Sequence, residues 1–267
     1  MNSETVQLLK RAGQPNLREV SKHLPTYWGP QPFTAGPMYM GAVTVFLFIL
    51  GLCWYKGKER WWAVLATLLA VLLALGSHFL WFTRLFYDFV PLYNKFRTVS
   101  MALVVLQFTL PVLGFLMLDG IVKSADGSAV LRRKVLISGG ISLGLLLLLA
   151  LLQSIFGSFT GAADAGQPDI LTDALAADRY KLLWSDTLRS LLFVAAAVLA
   201  LLWGCSSEAA SRRLAGALVV CALVLADLFL VDKRYLGPDD FVRPKDFQSQ
   251  FRKRPVDELI LQDTDPS

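Results

Sequence analysis

The sequence predicts an all-α integral membrane protein of about six transmembrane helices, with short amphipathic helices in the extracytoplasmic loops. The composition is one reason: 55% of the 267 residues are hydrophobic and 18% are charged, whereas a soluble domain has roughly 45–50% apolar and about 25% charged residues. The other reason is that the apolar residues are gathered in blocks. Several blocks approach or reach the roughly 17–25 residues that one helix needs to cross a bilayer. A soluble helical core would instead be interrupted by polar residues at every turn.

The first 37 residues are predicted to form an extracytoplasmic segment ahead of the first span. Residues 1–24 have the pattern of two short amphipathic helices separated by Gly-Gln-Pro. The segment TYWGPQPFTAGP, residues 26–37, cannot be helical throughout, because proline removes donors and fixes φ. Its aromatic residues, Trp28 among them, favour the membrane surface.

Six apolar blocks follow within residues 38–231, and each is predicted to be a membrane-spanning helix. The second and the fifth are close to the lower length limit. The blocks are Met38–Trp54, Trp61–Leu75, Ser100–Leu118, Val135–Phe156, Leu188–Trp203 and Leu214–Val231. Small residues repeat four apart in two of these blocks, which predicts faces where helices approach closely. These residues are Gly140 and Gly144, and Ala196, Ala200 and Gly204.

Lysine and arginine gather in the short connections after the first, third and fifth blocks. The residues are Lys56, Lys58 and Arg60, then Lys123, Arg132, Arg133 and Lys134, then Arg212 and Arg213. The positive-inside rule assigns such loops to the cytoplasm. The long connections 76–99 and 157–187 and both termini are then extracytoplasmic. The net charge of +5 is accounted for by topology and anionic lipid, so nucleic acid is not expected as a partner.

The tail, residues 232–267, is polar and of mixed charge, which predicts the start of a truncated extracytoplasmic soluble domain. Within it, Leu259–Leu261 have a strand-like composition. An extracytoplasmic N-terminus without a secretion signal is also what the second half of a longer protein would have. The three cysteines have neither metal-binding nor disulfide spacing. No nucleotide loop, nucleophile elbow or zinc pattern is present, so neither a cofactor nor a metal is expected.

Residues 77–100, SHFLWFTRLFYDFVPLYNKFRTVS, are the most informative loop. They place His78, Asp88, Lys95 and Arg97 among aromatic residues between two apolar blocks. The planar guanidinium of Arg97 can bind a phosphate through two hydrogen bonds, Lys95 can add charge, and Asp88 can act as a base or a metal ligand. The alternatives are that Arg97 reaches lipid headgroups or forms a structural pair with Asp88.

Asp227 lies inside the sixth block, about one turn from its end. Ionisable groups within a span are functional by default. The alternative for Asp227 is that a carboxylate so close to the boundary reaches water.

Several segments resemble those of the YfhO family of large bacterial multi-pass membrane proteins. They are YWGPQPFTAGPMYMGAV, VPLYNKFRTVSM, LADLFLVDKRYL followed by DDF, and LQDTDP, in order over nearly the whole chain. The resemblance implies a relative of the GT-C glycosyltransferases, which transfer sugars from polyprenyl-phosphate carriers to cell-envelope acceptors. It also implies location in the bacterial inner membrane, with this chain as the C-terminal part of the membrane region.

The resemblance further implies that Arg97, with Lys95 beside it, binds the lipid phosphate. Asp88, His78 and Trp28 lie in the two extracytoplasmic loops expected to help form the substrate cavity, and are the candidate supporting residues. The catalytic carboxylate of such enzymes lies on an earlier loop, so this chain alone is expected to be inactive. The expected partners are membrane lipids and a polyprenyl-phosphate-linked sugar. Two other classes stay open. A transporter or flippase subunit would have ionisable residues in several spans and discontinuous helices, and a membrane scaffold would have no catalytic set.

Overall fold

The computed structural model describes residues 3–13, 24, 38–95, 99–161, 164–237, 241, 243–249, 251–252 and 255–262. These residues form helices and no strand. The α-helices are α1 (Glu4–Arg11), α2 (Ala42–Trp54), α3 (Glu59–Ala74), α4 (Leu80–Phe89), α5 (Val104–Val122), α6 (Ser128–Phe156), α7 (Asp169–Gly204), α8 (Ala210–Tyr235), α9 (Pro244–Ser249) and α10 (Pro255–Gln262). Short 3-10 helices occupy Gly76–Phe79, Tyr93–Lys95 and Val99–Leu103.

Four helices of the described residues are long and apolar enough to cross a membrane, so the chain is a multi-pass membrane protein. They are Ser100–Val122, which contains α5, together with α6, α7 and α8. A fifth span results if α3 and the following segment Gly76–Phe89 are counted as one bent helix. The apolar helix α2 has 13 residues and is therefore about 20 Å long, less than the roughly 30 Å of a hydrocarbon core. The predicted number of six spans is not confirmed.

Each predicted apolar block is helical in the structure, but several helices extend well beyond their blocks. α7 begins at Asp169, far ahead of the block predicted to start at Leu188. Its 36 residues correspond to about 54 Å, more than a bilayer core, so its first turns stand outside the hydrocarbon layer. Hydropathy marks only the part of a helix that lipid covers.

The N-terminal helix α1 is the first of the two predicted amphipathic helices; the second lies outside the described residues. α1 packs on the polar part of α7. The carboxylate of Asp178 accepts hydrogen bonds from Ser3 Oγ at 2.6 Å, Glu4 N at 2.8 Å and Thr5 N at 3.0 Å. Because these are the free donors at the start of α1, Asp178 caps that helix from a distant part of the chain.

The centre of the bundle is α2, which packs against α5, α6 and α7. Val43, Phe46 and Leu50 on α2 are completely buried. A Cβ atom added at Gly51 would lie 2.8 Å from Leu113 Cγ of α5, and one at Gly114 would lie 2.8 Å from Leu47 Cβ. Each helix therefore presents a glycine to a leucine of the other, so the two approach closely, and α2 is fixed at the core despite its short length.

A second close crossing joins α7 and α8. A Cβ added at Gly216 would lie 2.9 Å from the carbonyl oxygen of Ala200 and 3.0 Å from Gly204 Cα. Of the predicted small face, Ala200 and Gly204 thus form this crossing. The face at Gly140 and Gly144 is not, since nothing in the described residues lies within 4 Å of a Cβ at either position.

The aromatic segment between α3 and α5 leaves the direction of α3 sharply. α3 and the Gly76–Phe89 segment are bent by 104°, and Gly76 has a φ of 49°, in the left-handed region that glycine tolerates. Beyond the bend, Phe79, Phe82 and Phe86 form a row with ring centroids 5.7 and 5.0 Å apart. Trp81 is 71% exposed. One side of α4 therefore carries this row of contacting rings, whereas Trp81 on the same helix is exposed.

The chain divides into two compact units, Met1–Phe229 and Leu230–Ser267. The second unit contains α9 and α10. The strand-like interpretation of Leu259–Leu261 is wrong, because these residues lie within α10. Pro255 at the start of this helix and acidic residues in its first turn favour the helical state.

Candidate functional site

The start of α2 is held by a carboxylate from α8. The residue before α2, Gly41, has a φ of 84° and no side chain to cap the helix. Asp227 takes this role, accepting hydrogen bonds from Ala42 N at 2.7 Å and, at the longer distance of 3.4 Å, from Val43 N. Asp227 is completely buried. Without it, Ala42 N would lose its shortest hydrogen bond and Val43 N its acceptor in an apolar setting. Because the carboxylate is buried, the alternative that Asp227 reaches water is wrong.

Tyr39 is fixed by the same carboxylate. Its hydroxyl donates to Asp227 Oδ1 at 2.7 Å and accepts from Ala42 N at 3.1 Å. Burial and the hydrogen bond to Asp227 raise the pKa of Tyr39 to about 12. Tyr39 is therefore neutral at physiological pH and remains a donor, which holds its ring in one orientation.

A guanidinium lies against this ring. Arg189 of α7 has its Cζ 5.2 Å from the centroid of Tyr39, within cation–π range. Its side chain is 16% exposed, and Nε and Nη1 are buried without a hydrogen-bond acceptor in the described part of the chain. Asp186 Oδ1 is 3.9 Å from Nη1, which is too long for a hydrogen bond. Arg189 therefore has the Asp186 carboxylate nearby, but its Nε and Nη1 donate no hydrogen bond within the described part of the chain.

A cavity of about 290 Å³ opens beside this group, lined by both Tyr39 and Ser190. Most of its wall is apolar and comes from α2 and α6, with Ser142 as a further hydroxyl. The apolar residues are Val45, Phe46, Ile49, Leu145, Leu146 and Leu149. The volume is near the lower end of the roughly 300–1,000 Å³ typical of small-molecule sites. Arg189 is not itself among the lining residues, but it precedes Ser190 in sequence and stacks on Tyr39, and both of these line the cavity.

Two buried arginines use their terminal guanidinium nitrogens in structural contacts. Arg179 donates to Asp164 through Nη1 at 2.6 Å and Nη2 at 2.9 Å, and to Phe159 O at 2.7 Å. Arg213 donates to Ser124 O at 2.6 Å. The hydrogen bonds from Arg179 lower the pKa of Asp164. These contacts hold connecting segments onto α7 and α8.

The residues predicted from the sequence to form the phosphate site are not assembled by the described contacts. His78, Asp88 and Lys95 are exposed, and no hydrogen bond or ion pair joins them within the described residues. Arg97 and Trp28 lie outside those residues, as does the alternative Asp88–Arg97 pair. The predicted role of this loop stays a prediction.

Sequence reasoning singled out Asp227 but passed over Arg189 and Tyr39. Arg189 is the second residue of the fifth apolar block, and an ionisable residue in a span is reason enough to suspect a site. Tyr39 had no comparable signal, since tyrosines at membrane boundaries are common. Only the fold shows that it joins Asp227 to Arg189.

The arrangement is suited to binding rather than to proton transfer. Asp227 would have to release the start of α2 before it acted as a base, because its oxygens are taken by backbone and tyrosine donors. Among the described residues, no group of three or more His, Cys, Asp and Glu side chains is placed to hold a metal. Comparison with known families, curated proteins and solved structures finds no match to this chain.

Proposed function

We propose that the chain is part of a YfhO-like protein of the bacterial inner membrane that transfers sugars from polyprenyl-phosphate carriers to cell-envelope acceptors. The observation that carries the proposal is the cavity between α2 and α6. Its apolar wall suits an isoprenoid chain, and its hydroxyl groups and the neighbouring Arg189 suit a polar head. The sequence resemblance supports the same substrate.

In this proposal the chain supplies binding for the carrier and another part of the protein supplies the catalytic carboxylate. Asp227 already has a structural role in the helix cap, which supports this division. The 267-residue chain alone is then expected to bind a polyprenyl phosphate and to transfer no sugar.

Photo-crosslinking tests the proposal. The chain in phosphatidylcholine nanodiscs would be irradiated with a diazirine-bearing polyprenyl phosphate, and the modified peptides identified by mass spectrometry. We expect modification around Val45 and Leu145, competed by unlabelled polyprenyl phosphate. Val45→Phe should fill the cavity and abolish the labelling, whereas Leu225→Phe, at a position 69% exposed, should leave it unchanged. Labelling spread equally over the lipid-facing helices would contradict the proposal.

A transporter or flippase is the second candidate, and one observation favours it. The 104° break between α3 and the next helical segment is a discontinuity of the kind that transporters use. Proteoliposomes with a fluorescent polyprenyl phosphate in one leaflet separate the candidates: transbilayer movement by this chain, without sugar transfer by the longer protein, would favour the flippase.

A further inference from the structure

We propose that Arg189 is the residue that binds the anionic head of the ligand, a phosphoryl group whose attached chain lies in the α2–α6 cavity. The identification of the ligand's hydrocarbon chain as an isoprenoid rests on the proposed function. The assignment of the oxyanion to Arg189 rests only on the surroundings of its guanidinium. It differs from the sequence-based expectation, which placed the phosphate at Arg97 and Lys95.

The first argument is the cost of the guanidinium in its present state. A buried polar group without a hydrogen-bond partner is unfavourable, and a buried charge is more so. Arg189 has two buried nitrogens without an acceptor in the described residues. The carboxylate of Asp186 is near it but beyond hydrogen-bond distance, at 3.9 Å. An oxyanion would satisfy both the charge and the donors.

The second argument is the contrast with the other buried arginines of the same bundle. Arg179 has a carboxylate and a carbonyl as acceptors. Arg213 donates to the carbonyl oxygens of Ser124 and Asp126. Both hold loops through their terminal guanidinium nitrogens. The Arg189 side chain is less deeply buried, at 16% exposed against 1% for Arg179, but its Nη1 has no such acceptor in the described residues, which is the state expected of a residue that binds a ligand.

The third argument is how firmly the guanidinium is placed. Asp227 fixes Tyr39 by a hydrogen bond of 2.7 Å, and the ring of Tyr39 supports the guanidinium face at 5.2 Å. Stacking uses the face of the guanidinium and leaves its N–H edge for a planar or tetrahedral oxyanion. Tyr39 and Asp227 are therefore positioning residues in this site.

The fourth argument selects the class of ligand. Arg189 is adjacent in sequence to Ser190, which lines the cavity, and the rest of the wall is mainly apolar. A free inorganic ion would make no contact with that apolar wall. An amphiphile with one phosphoryl group and a hydrocarbon chain would contact the guanidinium with its head and the apolar wall with its tail.

Binding of farnesyl phosphate by the chain in phosphatidylcholine nanodiscs tests the assignment, with farnesol and inorganic phosphate as matched probes. We expect saturable binding of farnesyl phosphate above its partition into empty nanodiscs, and no comparable binding of farnesol. Arg189→Gln should weaken it about ten- to one-hundredfold, the loss of one or two charge-assisted hydrogen bonds. The control Arg84→Gln, which removes an exposed positive charge, should bind as the wild type does.

A second measurement separates ligand binding from a structural role. Without ligand, Arg189→Gln should keep or raise the melting temperature, because it removes a buried charge with unused donors. Arg179→Gln should lower it. Asp186→Asn should tighten farnesyl phosphate binding, since it removes a carboxylate that competes for Arg189.

Unchanged farnesyl phosphate affinity in Arg189→Gln would overturn the assignment, as would equal binding of farnesol. A lower melting temperature in ligand-free Arg189→Gln together with unchanged binding would make Arg189 structural. If inorganic phosphate binds as tightly as farnesyl phosphate and Arg189→Gln abolishes both, the anion site stands and the lipid-carrier function falls.

Discussion

At the residue scale, Asp227 is the most consequential carboxylate of the bundle, because it satisfies the start of α2 and the hydroxyl of Tyr39 together. Its presence within an apolar block was visible in the sequence. Its partner was not, since Ala42 is 185 residues away and only the packed helices bring the two together. Arg189 is the converse case. The ring against its guanidinium belongs to Tyr39, and the uncharged residues around Tyr39 gave no reason to expect a site there.

Asp227→Ala is expected to destabilise the protein by several kcal/mol, because each buried donor left without an acceptor costs about 1–3 kcal/mol. Thermal unfolding in detergent or nanodiscs measures this. Asp173→Ala removes an exposed carboxylate and should have little effect. Equal melting temperatures for the two variants would mean that the cap contributes nothing to stability.

The ion pair of Asp164 and Arg179 makes stability depend on pH. Arg179 holds the pKa of Asp164 below its ordinary value of 3.8, so the folded state binds this proton less well than the unfolded state does. Stability from the pair is complete above the unfolded pKa and is lost as pH falls through the folded value. We expect Asp164→Asn to lower stability at pH 7 by about 3–5 kcal/mol, since it breaks a buried pair.

An acid titration of the melting temperature checks the sign. The wild type should lose part of its stability below about pH 4, near the ordinary aspartate value, and Asp164→Asn should lose less over the same interval. A variant with the same acid sensitivity as the wild type would show that another carboxylate is responsible.

At the element scale, hydropathy located every long helix but did not find their ends or their partners. The polar first half of α7 continues the helix outside the apolar block, and composition alone does not distinguish it from a loop. Small residues four apart were equally ambiguous. The pair Gly140 and Gly144 has the same spacing as Ala200 and Gly204, yet only the second pair meets another helix in the described structure.

Gly216→Ala should separate α7 from α8, because its new methyl would meet the backbone of Ala200 at 2.9 Å. Overpacking of this kind costs about 1–3 kcal/mol. Gly140→Ala is the matched control, since nothing in the described residues lies within 4 Å of its Cβ, and it should be neutral or stabilising through helix propensity. Unfolding midpoints of the two variants provide the comparison, and equal losses would contradict the observed crossing.

At the scale of the whole molecule, composition was sufficient for an all-helical, multi-pass membrane protein. The count of six spans depended on treating every apolar block as a complete crossing. In the structure, two of these blocks are not complete straight spans. α2 is too short to cross an ordinary hydrocarbon core, and α3 bends by 104° into the next helical segment. The anion site proposed at Arg189 could not be predicted from the sequence, because burial and the lack of an acceptor among the described residues are properties of the fold.

The positive-inside rule predicts an orientation in the membrane, which cysteine labelling measures. In a background with Cys53, Cys205 and Cys221 replaced by serine, Gln167→Cys should react with a membrane-impermeant maleimide in intact spheroplasts. Ala125→Cys, in a basic loop, should react only after the membrane is broken. The reverse pattern would put the start of α2 and Arg189 on the cytoplasmic side, away from extracytoplasmic acceptors.

The capping of α2 by Asp227 also determines when the bundle can be completed during synthesis. A ribosome releases α2 as a helix about 20 Å long whose first amides still lack this carboxylate. The carboxylate that satisfies them follows only after another 185 residues. Until then, α2 is too short to cross the bilayer unaided and lacks the carboxylate that caps its first turn. A nascent chain that stops before Asp227 is therefore expected to leave the start of α2 uncapped, and to be a substrate for membrane quality-control proteases.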